Sequence, residues 1–189
     1  MLFEKSETLQ NLVNSVAGET QARNRYAIYA KIAKKEGLEL ISDIFLQTSE
    51  NEFEHAKLFY KKIPNGMYKP NGTYPFFSGN TYENLLSAHE GEKEEWEIIY
   101  KNYALTAKAE GFEEISKLYT YIAEIEKRHA HCYIELAENL KNGTLYNKSE
   151  TSQWICKKCG HTHIGKEAPC LCPVCQHGQE YFSLFSNKI

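Results

Sequence analysis

The chain lacks the features that would place it in a membrane, on a secretory route or on nucleic acid. It has no apolar run of about 18 residues or more, so no segment is expected to span a bilayer as a helix. Its net charge is only −3, which gives no global attraction to nucleic acid or to an anionic membrane surface. The opening Met1-Leu2-Phe3-Glu4-Lys5-Ser6-Glu7 is neither an apolar signal core nor an acid-poor transit peptide. The expectation is therefore a protein that stays where it is made, in the cytoplasm. Three Asn-x-Ser/Thr sites, at Asn71, Asn142 and Asn147, accordingly read as turn chemistry rather than glycan acceptors. Cysteine is scarce over most of the chain. Only Cys132 lies outside the interval Cys156 to Cys175, which holds the other five of the six. A disulfide framework would need an oxidising compartment, whereas clustered, paired thiols in a reducing one point to metal. What remains is ordinary globular stock: 189 residues, 42% apolar and 25% charged, enough for one or two domains.

The pattern changes near residue 145. The first part has helical periodicity and the last 40 or so residues are short and knuckle-like. Helices are expected over about 4–35, 38–63, 82–110 and 112–141, with Thr81 as the cap of the third. Gly37, Pro64-Asn65-Gly66, Gly111 and Asn142-Gly143 supply the stops. Two of the connections are tight turns. The third, residues 64–80, is long and holds three Pro and three Gly. This arrangement predicts two antiparallel helix pairs joined by a crossover, a four-helix bundle. The pairs repeat at an offset of 74. Glu36-Gly37 corresponds to Glu110-Gly111, Tyr26 to Tyr100, Ile41-Ser42 to Ile115-Ser116, Glu52 to Glu126 and His55 to His129. Glu19 and Glu92, each preceded by Gly, are offset by 73. The additional residue in the third helix suggests a π-bulge there, a feature that often marks a functional site.

Each apolar stripe is interrupted near its middle by acid or His. Counted from the tight turns, Glu19, Glu52, Glu92, Glu95 and Glu126 fall within two or three residues of one level, about 3–5 Å at helical rise. Glu52-x-x-His55 and Glu126-x-x-His129 each set their two side chains on one helix face. A single Glu-x-x-His is ordinarily a solvated surface pair. Here it occurs twice at corresponding places on apolar stripes, with three further Glu at the same level. Five buried carboxylates without compensation would cost more than the fold can supply. Two divalent or two trivalent metal ions bring the layer close to neutrality, and the donor set matches the di-iron or di-manganese pattern of helix bundles. Glu94, Glu97, Glu113, Glu114 and Glu124 read as solvated faces, and His89 and His131 as polar or packing residues. Tyr26 and Tyr100 lie on the metal side, either as donors to carboxylate ligands or as plain core tyrosines.

The C-terminal unit reads Cys156-x2-Cys159-x12-Cys172-x2-Cys175. Each Cys-x2-Cys turn points two thiolates at one ion, and two such turns make a tetrahedral cage that suits zinc or a single iron. So short a unit makes little core, so the metal would be its staple. Cys170 reads as a spare thiol and Cys132 as a small buried hydrophobe.

These segments together resemble rubrerythrin over essentially the whole length. Ala17-Gly18-Glu19 through Tyr26, Asn51 to Lys57, Glu90 to Trp96 and Glu126 to His129 look like that family's four ligand segments. Trp154 to Gly160, Ala168-Pro169 and Cys172 to His177 are similar to its rubredoxin-like domain, apart from Cys170, where no thiol is expected. The implied fold is an all-α ferritin-like four-helix bundle (1–143), a linker (144–153) and a rubredoxin-like four-cysteine domain (154–189).

By that resemblance Glu19, Glu52, Glu92, Glu95, Glu126 and His129 would ligate two irons, with His55 exchanging for Glu95 on reduction. Cys156, Cys159, Cys172 and Cys175 would hold a third iron. The implied activity is reduction of hydrogen peroxide to water in oxidative-stress defence. Its electrons would come ultimately from reduced pyridine nucleotide, through a donor protein such as a rubredoxin or an NAD(P)H-dependent reductase. Two alternatives from other classes stay open: ferroxidase and iron handling, and a zinc-ribbon binding module on a helical stalk. Glu126 lies about 22 Å along its helix from the bundle's end, and the expected linker spans about 30 Å at most. Docking beside a neighbour is therefore the easier geometry, and the family implies a head-to-tail homodimer or a larger homo-oligomer.

Overall fold

The computed structural model describes residues 2–185, so the last four residues of the domain expected at 154–189 lie outside the described residues. Helices α1 (Glu7–Lys35) and α2 (Glu39–Tyr60) form one hairpin. Helix α3 (Thr81–Glu94), a π turn (Glu95–Ile99) and α4 (Tyr100–Ala109) form one arm of the second hairpin, and α5 (Glu113–Asn142) is the other. The π turn lies between Glu92 and Tyr100, where the sequence repeat gains its extra residue. Thus one inserted residue is absorbed as a bulge and the helix faces on either side keep their register.

Both tight turns are built alike. Gly37 (φ 75°) and Gly111 (φ 89°) adopt the left-handed conformation, which costs glycine nothing sterically. The following amides reach back five residues, Leu38 N–H to the Ala33 carbonyl and Phe112 N–H to that of Ala107. This is the Schellman closure. The residue before each glycine then ties the hairpins together. Glu110 accepts hydrogen bonds from the Glu7 and Thr8 amides at 3.0 and 2.8 Å, and Glu36 accepts one from the Thr81 amide at 3.1 Å. Each turn therefore caps the first helix of the other hairpin, and the hairpins lie head to tail. Ser6 completes the cap of α1. The cap of α3 is Asn80 in a capping box with Glu83, not Thr81 as expected. The chain enters α3 one residue earlier because Asn80 is extended and its side chain is free to accept the Glu83 amide.

Two aromatic-rich clusters fill the bundle. One, toward the α1–α2 turn, contains Tyr26, Tyr29, Phe45 and Tyr133. The other, toward the α4–α5 turn, contains Leu12, Phe59, Tyr100 and Tyr119. Five of the tyrosines are thus almost fully buried. The long connection runs as a strap along α1. Asn71 N–H donates to Asn14 Oδ1, Tyr74 O–H to the Asn14 carbonyl and Tyr29 O–H to the Phe77 carbonyl.

The C-terminal unit is an antiparallel sheet in the order β2–β1–β3, with β1 at Asn147–Cys156, β2 at Thr162–Glu167 and β3 at Phe182–Leu184. Residues 147–153, expected as linker, belong to β1. Most of that stretch is exposed, so it carries none of the apolar alternation by which a half-buried strand is recognised. Trp154, Ala168 and Phe182 form its small core together with Cys156 and Cys172. The first Cys turn rests against the start of α2 in the same chain: Lys157 pairs with Asp43, and Tyr181 O–H donates to Glu39.

The Glu110 bridge gives a pH prediction. Burial pushes its carboxyl up, but the hydrogen bonds from Thr8 and Glu7 together outweigh this and hold it below its usual value of 4.5. A depressed folded-state value means that the contribution is present above about pH 4.5 and is lost as pH falls through the folded value. Glu110→Ala should cost about 1 kcal/mol at pH 7 in chemical denaturation of the bundle. The difference from the parent should shrink toward zero under acid; an unchanged difference would contradict the capping role.

Candidate metal centres

The seven candidate donors of the bundle come from all four arms, and the helices deliver them to one level between the two aromatic clusters. Glu19, Glu52, Glu92 and Glu126 are fully buried, with His55 nearly so. They form two four-residue groups: Glu19, Glu52, His55 and Glu126 in one, and Glu52, Glu92, Glu126 and His129 in the other. Within each group one donor atom per residue lies within 4.8 Å of every other. Glu52 and Glu126 belong to both. Two adjacent ions sharing two carboxylates fit this arrangement directly. Glu95, the remaining candidate, belongs to neither group; it is half-buried on the π turn and lines a cavity of about 920 Å³.

The electrostatics show a layer built for cations. Glu19 Oε2, Glu52 Oε1 and both oxygens of Glu126 are buried without hydrogen-bonding partners. The imidazoles approach Glu126 closely, His55 Nδ1 at 2.9 Å and His129 Nδ1 at 2.8 Å, yet without the alignment of a hydrogen bond. Burial, then the neighbouring Glu52 and Glu126, pushes the Glu19 carboxyl well up. Burial and Glu92 do the same to Glu95. Burial alone would lower the His55 imidazole, but its contacts with Glu126 and Glu52 raise it to about 10. His129 is raised for the same reason, by Glu126, Glu52 and Glu92. Without metal, the layer draws in protons to offset its charge. Divalent or trivalent ions offset it directly and engage the orphaned oxygens, so the residues present fit the group.

The two tyrosines brace the layer crosswise. Tyr26 O–H donates to Glu92 across the hairpins, and Tyr100 O–H donates to Glu19 at 2.5 Å. Each sits on the arm corresponding to that of the other's acceptor. The two glycines that precede Glu19 and Glu92 face different neighbours. A Cβ on Gly18 would lie 3.4 Å from the Tyr74 ring of the strap, and one on Gly91 would lie 3.4 Å from the Arg25 guanidinium. Arg25, 7% exposed, has no place in the sequence reading. Its signal there is its position: three residues after Ala22 and four before Tyr29, it continues a buried face. His89 Nδ1–H donates to the Ala130 carbonyl, and His131 is exposed.

In the C-terminal unit Cys156, Cys159, Cys172 and Cys175 converge, with Cys156 Sγ 3.7 Å from that of Cys175 and Cys159 Sγ 3.6 Å from that of Cys172. The two turns are again alike. The amides of Gly160 and Gln176 return to the carbonyls of Cys156 and Cys172, and both residues have positive φ, 77° and 61°. Glycine fills that conformation in the first turn and glutamine in the second, where it carries strain. Four soft thiolates in a cage of this size suit a single iron or zinc. Cys170 is exposed and outside the group. No helix among the described residues is long and apolar enough to cross a membrane.

Comparison with known proteins agrees with both centres. Residues 10–137 and 83–154 match the Rubrerythrin family model, and residues 154–183 match that of the rubrerythrin rubredoxin-like domain. The chain is 44% identical to Rubrerythrin-1 of Clostridium acetobutylicum over 97% of this chain and 96% of that one. It is 42% identical to Rubrerythrin of Porphyromonas gingivalis over 94% and 89%. Among solved structures it is similar to the fully reduced, all-ferrous state of nigerythrin, with a TM-score of 0.65 at 27% identity over 97% of this chain and 91% of that one. The family implies a di-iron site, which the shared Glu and His groups accommodate, beside the four-thiolate centre. On the bundle, the knuckle and these matches along nearly its full length, this chain belongs to the rubrerythrin family.

Proposed function

We propose that the protein is a peroxidase that reduces hydrogen peroxide to water in the bundle and is re-reduced through the four-thiolate centre. The observation that carries this reading is the sharing of Glu52 and Glu126 by two otherwise separate donor groups. In it, Glu19, Glu52, His55, Glu92, Glu95, Glu126 and His129 would hold two irons, with Glu52 and Glu126 common to both donor groups. With iron bound, the bundle site would supply the two electrons needed to cleave hydrogen peroxide to two waters, and Cys156, Cys159, Cys172 and Cys175 would hold a single iron suited to delivering electrons one at a time.

The protein's own groups do the rest. Tyr26 and Tyr100 hold the Glu92 and Glu19 carboxylates in place by donating to them, and burial and those acceptors keep both phenols protonated. The two protons the reaction consumes need carriers at the site. Glu95 faces the cavity and its carboxyl is raised by burial, so its oxygens can take a proton from water and pass it inward. The cavity, bounded by α1, the strap and the π turn, is the entry route for so small a substrate. Ferroxidase and iron storage would use the same carboxylates but leave the thiolate centre without a role, and a zinc ribbon would leave the carboxylate layer without one. The role extends to oxidative-stress defence in the cytoplasm, with a rubredoxin or an NAD(P)H-dependent reductase as donor.

Electron delivery is proposed to run between chains of a homodimer. The knuckle rests at the start of α2, and Glu52 lies nine residues beyond Asp43, about 14 Å further along the helix. The short tether from Gly143 to β1 keeps it at that end. A partner packed head to tail would bring its own knuckle beside the layer instead.

This division of labour is tested by three variants. Glu52→Ala should abolish peroxide turnover and leave the red absorption of the ferric thiolate centre. Cys159→Ser should leave the bundle loaded with iron but unable to be re-reduced at the parent rate; loss of both spectra in either variant counts against independent centres. A mixed dimer of one Glu52→Ala chain and one Cys159→Ser chain, isolated with dual affinity tags, should retain one working pathway. An inactive, fully loaded mixed dimer would mean that transfer stays within a chain.

A further inference from the structure

Arg25 is the one buried guanidinium beside the carboxylate layer among the described residues, and it is largely unpartnered. Only 7% of the residue is exposed, yet its Nε and Nη1 groups have no hydrogen-bonding partner. Nη2 is 3.5 Å from the Tyr26 hydroxyl, itself the donor to Glu92, and the guanidinium lies 5.1 Å above the Tyr26 ring. A buried Arg ordinarily meets a carboxylate through two N–H groups, and none lies within ion-pair distance here. The guanidinium instead lines the cavity that Glu95 also lines.

Glu95 is the surplus donor of the layer. Of the seven candidates, six complete the two groups, with His55 in the fourth place beside Glu19, Glu52 and Glu126, and Glu95 belongs to neither. It stands on the π turn, where the chain already departs from regular helix. A carboxylate with no group to join and a guanidinium with two free N–H groups thus share one cavity.

We propose that Arg25 is a positioning residue that offers the Glu95 carboxylate an alternative partner in the cavity, away from the metal pair, and so sets how readily Glu95 joins it. The inference rests on the di-iron reading above. Its consequence follows from charge. Two divalent irons carry four positive charges and two trivalent irons carry six, so the oxidised pair draws the fifth carboxylate more strongly than the reduced pair does. A cation that detains Glu95 in the cavity therefore favours the reduced pair.

The test is a double-mutant cycle read as the midpoint potential of the bundle irons, by redox titration of the iron-loaded full chain. Arg25→Gln should weaken the detained state about tenfold and lower the potential, by about 59 mV for a one-electron step. In a Glu95→Gln background, where no carboxylate remains to be detained, the same substitution should leave the potential unchanged. An equal fall in both backgrounds would mean that Arg25 acts only as a distant charge, and no fall in the parent would mean that it does not act on the site; either overturns the proposal. Should Arg25→Gln not fold, Arg25→Lys keeps the charge, loses the paired N–H groups and enters the same cycle under the same criterion. A parent chain that binds no iron pair overturns the di-iron reading together with this one, whereas an iron pair with an unmoved potential overturns this one alone.

Discussion

Burying four carboxylates at one level of a helical bundle, with a fifth beside them, is the constraint from which most of this structure follows. The unscreened cost of a single buried ion is several kcal/mol even after relaxation, and the folded chain has only about 5–15 kcal/mol in hand. The layer can exist only with compensating positive charge. Its own imidazoles supply a little, raised by the acids around them, and the orphaned oxygens of Glu19, Glu52 and Glu126 mark where more is required. The apolar clusters above and below isolate that charge from water, which strengthens each interaction inside the layer. Stability and function are thus opposed locally and reconciled by bound metal, as expected of a site whose free energy of metal binding is also free energy of folding.

The duplicated hairpins supply the precision this demands. Each tight turn closes on a left-handed glycine, and the acid before it caps the other hairpin. The pairs are therefore locked end to end as well as through their cores. The tyrosines then cross between hairpins at the level of the site. Departures from the repeat are concentrated on one side. The π turn, Glu95, Arg25 and the strap with Tyr74 all border the same cavity, so the symmetric face holds the metal donors and the asymmetric face opens to solvent.

Much of this was legible in the sequence because it rests on local periodicity. The helix pairs, the crossover, the level of Glu19, Glu52, Glu92 and Glu126, the paired Glu-x-x-His motifs and the extra residue of the third helix all follow from counting along a rigid rise. The parts that escaped depend on contacts between distant segments. Counting placed Tyr26 near Glu19 and Tyr100 near Glu92; only packing shows that each donates to the carboxylate of the other hairpin. Arg25 is an ordinary charged residue until α3 is laid against it. Residues 147–153 carry no strand pattern because nearly all of them face solvent, and their pairing with β2 is what makes them a strand. Glu95 stood level with the other donors by count, and the π turn that displaces it into the cavity is a change of helix type that a fixed rise does not anticipate.

The most direct measurement of the central claim is the anaerobic addition of one equivalent of hydrogen peroxide to the fully reduced, iron-loaded protein, followed optically and by assay of residual peroxide. The expected result is loss of the peroxide without release of dioxygen, a two-electron oxidation of the bundle irons first, and oxidation of the thiolate centre only afterwards as its electron passes inward. Peroxide that persists beside a reduced bundle, or a thiolate centre that oxidises before the bundle does, would contradict it.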